Sequence, residues 1–392
     1  MKHWAERMDA VAPSATVSMA QKVREDKAKG IQLFDFTVGE PHCGTPEVVK
    51  AGVREGLEKG LTKYADSKGL PELRKLIAQD FQSKGIPATD ANIILAPGGK
   101  QAIYYACQAL LNPGDEAIVI PPCWVSYADI IKLAGGVAVE VNTTAEACYR
   151  PTEEALRAAI TPKTKLIMTN NPSNPTGAVW EPEVVEMVAR VAAEFDLWVI
   201  DDLVYEAFNF TGRAVPAIGG IEAAKARTVT VGSFSKAYAM TGFRVGYMYA
   251  PTELTAQLLK LQQQTATCLP GFVQQGAIAA LTQAQAFPAE MAKTYDGLRK
   301  VVQEELGDIH AGPLEGAFYA FVDITGTGMD DWAFSDWLYA EHRVAVVPGS
   351  AFGTAGKGRV RVSYAAEESV LREGMRRLAA AIRSKTTAGA RA

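Results

Sequence analysis

At 392 residues and 48% hydrophobic, the chain exceeds what one hydrophobic core usually supports, so two domains are expected. A formal net charge of -4, with Lys and Arg scattered rather than striped, gives no electrostatic footprint for nucleic acid. Four histidines without ligand spacing give no metal site, and no apolar run approaches the roughly 18 residues of a membrane span. The N-terminus reaches charged residues at once, and no apolar leader is expected. Cys43, Cys107, Cys123, Cys148 and Cys268 are widely spaced, with no Cys-x-x-Cys pair, and read as reduced thiols of a cytoplasmic protein.

In chain order, a helical pattern through Met19 and Val23 precedes a predicted strand over 33–38. Two prolines and two glycines make residues 39–46 a loop, and Pro46 opens a helix through Val53. An amphipathic helix follows over 71–81. From there strands and helices alternate. Strands are predicted at 93–96, 116–120, 137–141, 165–169, 197–200, 228–231 and 244–249, with helices over 98–111, 125–133 and 183–195 among them. Such alternation predicts an α/β fold with a mostly parallel sheet covered on both faces. After about residue 280 the pattern changes to a long helix through Met291 and Leu298, an apolar strand over 316–322, a helix near Trp332–Tyr339 and a strand over 358–364. This reads as a smaller α+β domain completed by the N-terminal strand. The small, polar tail from Ser384 to Ala392 reads as frayed.

Ligands of open α/β sheets sit beyond the carboxyl ends of the strands, and four polar clusters fall there. Gly98-Gly99-Lys100 exposes backbone N–H groups at a helix start, which is either an anion site or a tight turn. In 170–177 two Asn-Pro pairs stiffen a polar loop that aims Asn174 or simply makes a rigid turn. Asp201-Asp202, with Tyr205 three positions on, puts a carboxylate and a phenol at a strand end; the plainer reading is a helix cap with a packed tyrosine. Ser233, Ser235, Lys236 and Arg244 supply hydroxyls, an amine and a guanidinium. Alone, Lys236 is either a solvated surface lysine or an amine that forms a Schiff base with a carbonyl cofactor. Together the clusters supply a phosphate cradle, a phenol, a carboxylate and an amine, the set that pyridoxal 5'-phosphate (PLP) requires.

These motifs, with Pro122–Tyr127, Asn171–Gly177 and Arg361–Tyr364, resemble in order the class I aminotransferases of PLP fold type I, particularly the bacterial aspartate aminotransferase branch, from about Arg7 to Leu378. The resemblance implies a large PLP-binding domain over 47–283 with a mostly parallel seven-stranded sheet, and a smaller α+β domain formed by 1–46 and 284–392. Lys236 would hold the cofactor and shuttle the Cα proton. Asp202 would keep the pyridine nitrogen protonated, and Asn174 and Tyr205 would hydrogen-bond the ring oxygen. Trp124 would stack on the ring, and Gly98, Gly99, Lys100, Ser233, Ser235 and Arg244 would surround the phosphate. Tyr64 matches the tyrosine that reaches the phosphate in the neighbouring subunit, which implies a homodimer with shared sites. Arg361 and the backbone of Gly39 would hold the substrate α-carboxylate; Arg359, on the same strand face, is expected to be solvated.

For the substrate, Lys100 with Ser14 and Thr16 matches the group that reads a second carboxylate in part of this branch. The resemblance therefore implies aspartate or glutamate as donor and a 2-oxo acid such as 2-oxoglutarate as acceptor, in a ping-pong reaction. The chain departs from the branch at His42-Cys43-Gly44, where Asp-Phe-Asp is common, at Ala12, where lysine is common, and at Phe243, where tryptophan is common. The lack of a lysine at Ala12 argues against a substrate with an extra distal acid such as prephenate. His42 and Cys43 could face the substrate, which leaves a lyase, a β- or γ-replacement enzyme or an oxidase on the same fold as the alternative, or be a harmless loop change. A non-catalytic PLP-binding regulator is disfavoured, since every reactive group is present and no DNA-binding appendage is visible.

Overall fold

The computed structural model describes residues 4–389. Its strands are β1 (Phe34–Asp35), β2 (Ile93–Ala96), β3 (Glu116–Val119), β4 (Val137–Glu140), β5 (Thr164–Asn170), β6 (Trp198–Asp202), β7 (Thr228–Ser233), β8 (Gly246–Tyr249), β9 (Tyr319–Asp323), β10 (Val344–Ala345), β11 (Val347–Pro348) and β12 (Arg359–Ser363). Seven of them form the expected α/β sheet, in the order β2-β8-β7-β6-β5-β3-β4. All its neighbouring pairs are parallel except those of β8, which runs against both β2 and β7. The central strands are continuous apolar runs because both faces are covered. Ile200 packs with the helix Gly99–Leu110 on one side, and its neighbour Val199 packs with the helix Pro182–Glu194 on the other.

Register brings the chemistry together. Asn170 lies beside Asp202 across the β5–β6 pair, and Asp202 lies beside Val231 on β7, whose last residue is Ser233. The polar residues of three strands therefore meet at one edge of the sheet, at the carboxyl ends where open α/β sheets hold ligands.

A second sheet, β11-β12-β9, is antiparallel, and β1 pairs in parallel with β10. The long helices Phe287–Leu306 and Glu368–Gly389 pack on this unit, and Phe36 joins its core from the N-terminal segment. The predicted N-terminal strand shrinks from 33–38 to two residues. The Asp35 carboxylate accepts hydrogen bonds from the N–H (3.1 Å) and hydroxyl (2.7 Å) of Thr37, a turn that competes with the strand ladder. The tail is also corrected: the helix continues to Gly389, since Ala381 and Ile382 are buried and anchor it, while residues 390–392 and His3 lie outside the described residues.

One glycine couples the sheet to the site. A Cβ on Gly246, at the start of β8, would sit 2.3 Å from the carbonyl carbon of Gly98 and 2.4 Å from the nitrogen of Gly99. Both are backbone atoms of a helix start and cannot swing away. Gly246→Ala is expected to destabilise the protein by about 2–3 kcal/mol, measured as a lower urea midpoint. An unchanged midpoint would show that the helix start yields freely.

Candidate active site

A cavity of about 360 Å³ opens where β5, β6 and β7 end. One end is a helix start. Gly98 adopts φ +86° and hands the chain to the helix Gly99–Leu110, leaving its first N–H groups without intrahelical partners. A Cβ on Gly98 would lie 2.4 Å from Nη2 of Arg244, so glycine is what admits the guanidinium; Gly98 itself backs the wall rather than lining it. Arg244 donates to the carbonyls of Thr241 (2.8 Å) and Pro97 (3.3 Å), and no carboxylate neutralises it among the described residues. Ser233 and Ser235 complete this end, with the Ser235 N–H donating to Ser233 Oγ at 3.1 Å. Backbone N–H groups, two hydroxyls and a guanidinium without a carboxylate partner among the described residues are the parts of a phosphate site.

Lys236 follows β7 on the short helix Phe234–Ala237, and its Nζ donates to the Gly39 carbonyl at 2.5 Å. Burial lowers its pKa to about 8. Glu40 opposes this by favouring the charged form, while Arg244 and Arg361 add to the lowering. Such an amine gives up its proton more readily than an ordinary lysine. Strand alternation separates the two aspartates of β6. Asp201 turns to the far face, where Thr169 Oγ1 (2.8 Å) and the Ile218 N–H (2.9 Å) donate to it, and Asp202 faces the cavity. The Tyr127 hydroxyl donates to Asp202 Oδ2 at 2.7 Å and the Val204 N–H donates to Oδ1 at 3.1 Å. Burial raises the Asp202 pKa to about 6, and those two donors together with Lys236 pull it the other way. A buried carboxylate in this position is poised to pair with a cationic ring nitrogen.

Tyr205 shares a 2.7 Å hydrogen bond with the hydroxyl of Tyr319, and Asn174 Nδ2 reaches the Tyr205 oxygen at 3.5 Å. Asn174 Oδ1 accepts from Arg361 Nη1 at 3.1 Å, which ties phenol, amide and guanidinium into one network. Arg361 is buried on β12. Its Nη2 donates to the Thr37 carbonyl at 2.5 Å, its plane lies over Tyr319 (4.7 Å) and Phe352 (5.0 Å), and its Nε has no partner. Burial lowers its pKa, with nearby tyrosines opposing. Lys100 Nζ stands 4.8 Å from the centroid of the Trp124 ring, and burial and then Arg244 lower its pKa.

Most of the predicted set therefore lines one cavity: Gly39, Thr16 and Trp124 join the residues above. Ser14 does not. It precedes the helix Ala15–Ala28, and its hydroxyl lies 3.1 Å from that of Thr16 rather than on the cavity wall. Tyr64 is 88% exposed and outside the cavity. Arg359 is not solvated; it pairs with Asp323 across the β12–β9 ladder at 3.1 Å, with 11% of its side chain exposed. His42 and Cys43 do not face the cavity. The His42 ring meets Tyr295 edge-on at 5.6 Å, Cys43 packs against the same apolar cluster, and Gly44 is exposed. Sequence reasoning missed Tyr319, which carried no signal beyond an apolar strand. It assigned no role to Tyr127, although that residue closes the Pro122–Tyr127 motif.

An anion cradle, an amine with a depressed pKa, a carboxylate on the sheet and the Trp124 ring on one cavity fit PLP, whose phosphate, aldehyde, ring nitrogen and ring face each need one of them. The family described as "Aminotransferase class I and II" matches residues 31–382. The chain belongs to the class I and II aminotransferases. An aspartate/prephenate aminotransferase of Thermus thermophilus is 40% identical over 97% of this chain and 98% of its own length, and an aspartate aminotransferase of Musicola paradisiaca is 38% identical over 97% of each. The solved aspartate aminotransferase of Thermus thermophilus with maleate superposes with a TM-score of 0.93, 39% identity and coverage of 97% of this chain and all of that one. The aminotransferase thus has the fold of type I PLP enzymes. It uses PLP to transfer an amino group between an amino acid and a 2-oxo acid.

Proposed function

We propose that this aminotransferase acts on dicarboxylic substrates, with aspartate or glutamate as donor and 2-oxoglutarate as acceptor, in a ping-pong cycle. The observation that carries the reading is charge. Among the described residues, five basic side chains, Arg24, Lys100, Lys236, Arg244 and Arg361, line the cavity against the single carboxylate of Asp202. A phosphate accounts for part of that excess, and one α-carboxylate for another part. A second substrate carboxylate balances the remainder, whereas a monocarboxylate leaves a basic side chain of the cavity without an anionic partner.

In this proposal Lys236 would hold the cofactor through Nζ and, once released, its amine would take the proton from the substrate Cα and deliver it to the cofactor's former aldehyde carbon. Gly99, Ser233, Ser235 and Arg244 hold the phosphate, Asp202 the ring nitrogen, and Asn174 and Tyr205 the ring oxygen. Bound PLP supplies the electron sink that makes Cα acidic. Arg361 and Gly39 fix the α-carboxylate so that Cα lies within reach of Lys236, while Lys100 and Thr16 read the second carboxylate. Tyr64, exposed on the single chain, serves the site of a second copy, which makes the enzyme a homodimer. The division into 47–283 and the two terminal segments is supported by β1, Phe36 and the C-terminal elements sharing one core. The cytoplasm is the proposed compartment, supported by five free cysteines.

The test is a steady-state assay of the PLP-loaded enzyme. Aspartate with 2-oxoglutarate should give oxaloacetate and glutamate with a kcat/KM at least ~10-fold above that of alanine with the same acceptor. Equal rates for the two donors would contradict the dicarboxylate reading and leave the aminotransferase activity standing.

A further inference from the structure

The roles above leave one cavity cation unassigned. Arg24 lies on the helix Ala15–Ala28, where Thr16, Ala20 and Arg24 recur at intervals of four and all three line the cavity. The other basic residues at this end of the helix are satisfied: Lys22 pairs with Asp336 (3.7 Å), Lys27 with Asp35 (3.3 Å) and Lys29 with Asp26 (2.9 Å). Among the described residues Arg24 has neither an ion pair nor a hydrogen bond, and it is exposed at the cavity mouth. With alanine at position 12, it is, among the described residues, the one basic group that the N-terminal segment contributes to the cavity lining. Lys100, set against the second carboxylate above, also stands 4.8 Å from the Trp124 ring centroid, and Arg24 supplies a further cation on the same cavity. A guanidinium keeps its charge at every working pH and offers a carboxylate two parallel donors.

We propose that Arg24 is a specificity-determining residue that binds the second carboxylate of dicarboxylic amino acids and 2-oxo acids at the mouth of the cavity. The inference rests on the dicarboxylate reading and adds the residue that enforces it. Because Arg24 is exposed on a helix surface and holds no other side chain in place, substituting it leaves the fold intact.

The experiment uses the PLP-loaded enzyme and the variants Arg24→Gln, Arg24→Lys and Lys100→Met. The glutamate-to-alanine ratio of kcat/KM is measured for each, and calorimetry gives the Kd of glutarate, an unreactive dicarboxylate. Arg24→Gln should lower the ratio by about 10- to 100-fold, mostly through KM, and weaken glutarate by a similar factor. Arg24→Lys should recover part of both. A ratio and a glutarate Kd within about 2-fold of wild type in Arg24→Gln would overturn the proposal. If Lys100→Met alone lowers the ratio, the inference fails and the dicarboxylate reading stands; if the wild-type ratio is near one, that reading fails and takes the inference with it.

Discussion

Lys236→Ala should lower kcat by about 10⁴-fold or more while leaving the protein folded. The side chain makes one hydrogen bond, to the Gly39 carbonyl, so its loss removes little that holds the site together. What it removes is the amine. Burial brings that amine to about 8, and the proton leaves as pH rises through that value, so the reactive free base predominates above it. Lys236→Arg should be as inactive as the alanine variant, because a guanidinium does not deprotonate in this range. Circular dichroism with steady-state kinetics checks both. A folded Lys236→Ala enzyme with a kcat within about tenfold of wild type would refute the assignment.

Arg361→Ala should lower kcat/KM by about 10²- to 10³-fold for every amino donor, since the α-carboxylate is common to all of them. This sets it apart from Arg24, whose effect should follow the second carboxylate. The alanine also strips the Asn174 oxygen and the Thr37 carbonyl of a buried donor, which is expected to cost about 1–3 kcal/mol of stability. Arg361→Lys should not rescue it: one ammonium cannot lie flat over Tyr319 and reach both acceptors. Michaelis–Menten kinetics across several donors and urea unfolding separate the two effects. A loss confined to dicarboxylic donors would mean that Arg361 reads the wrong end of the substrate.

The parts of the site legible in the sequence were those made by local chemistry. Gly98-Gly99 after an apolar strand, Asp202 at a strand end and Lys236 beyond Thr228–Ser233 each announce a sheet edge by composition alone. The choice between Asp201 and Asp202 is a matter of which face of β6 turns to the cavity, fixed by pairing with β5 and β7. Tyr319 was hidden for the same reason. Its strand reads as core, and only the fold brings its hydroxyl within 2.7 Å of Tyr205 and so close to Gly39 that a Cβ there would clash with it. Arg359 and Arg361 look equivalent by alternation, yet Asp323 meets the first and the substrate cavity the second. His42 and Cys43 stood out as departures from a motif, a signal that carries no direction; tertiary packing turned them onto Tyr295. Arg24 had no local signal, since one arginine among the charged residues of a surface helix is ordinary until the cavity beneath it is known.

The measurement closest to the central claim is reduction of the PLP-loaded enzyme with borohydride, followed by proteolysis and mass spectrometry of the peptides. Borohydride fixes the carbon–nitrogen double bond between cofactor and protein as a stable amine. The account predicts one modified peptide, spanning Lys236, with loss of the tag when glutamate is added first to accept the cofactor. A tag on any other lysine, or none at all, would contradict it.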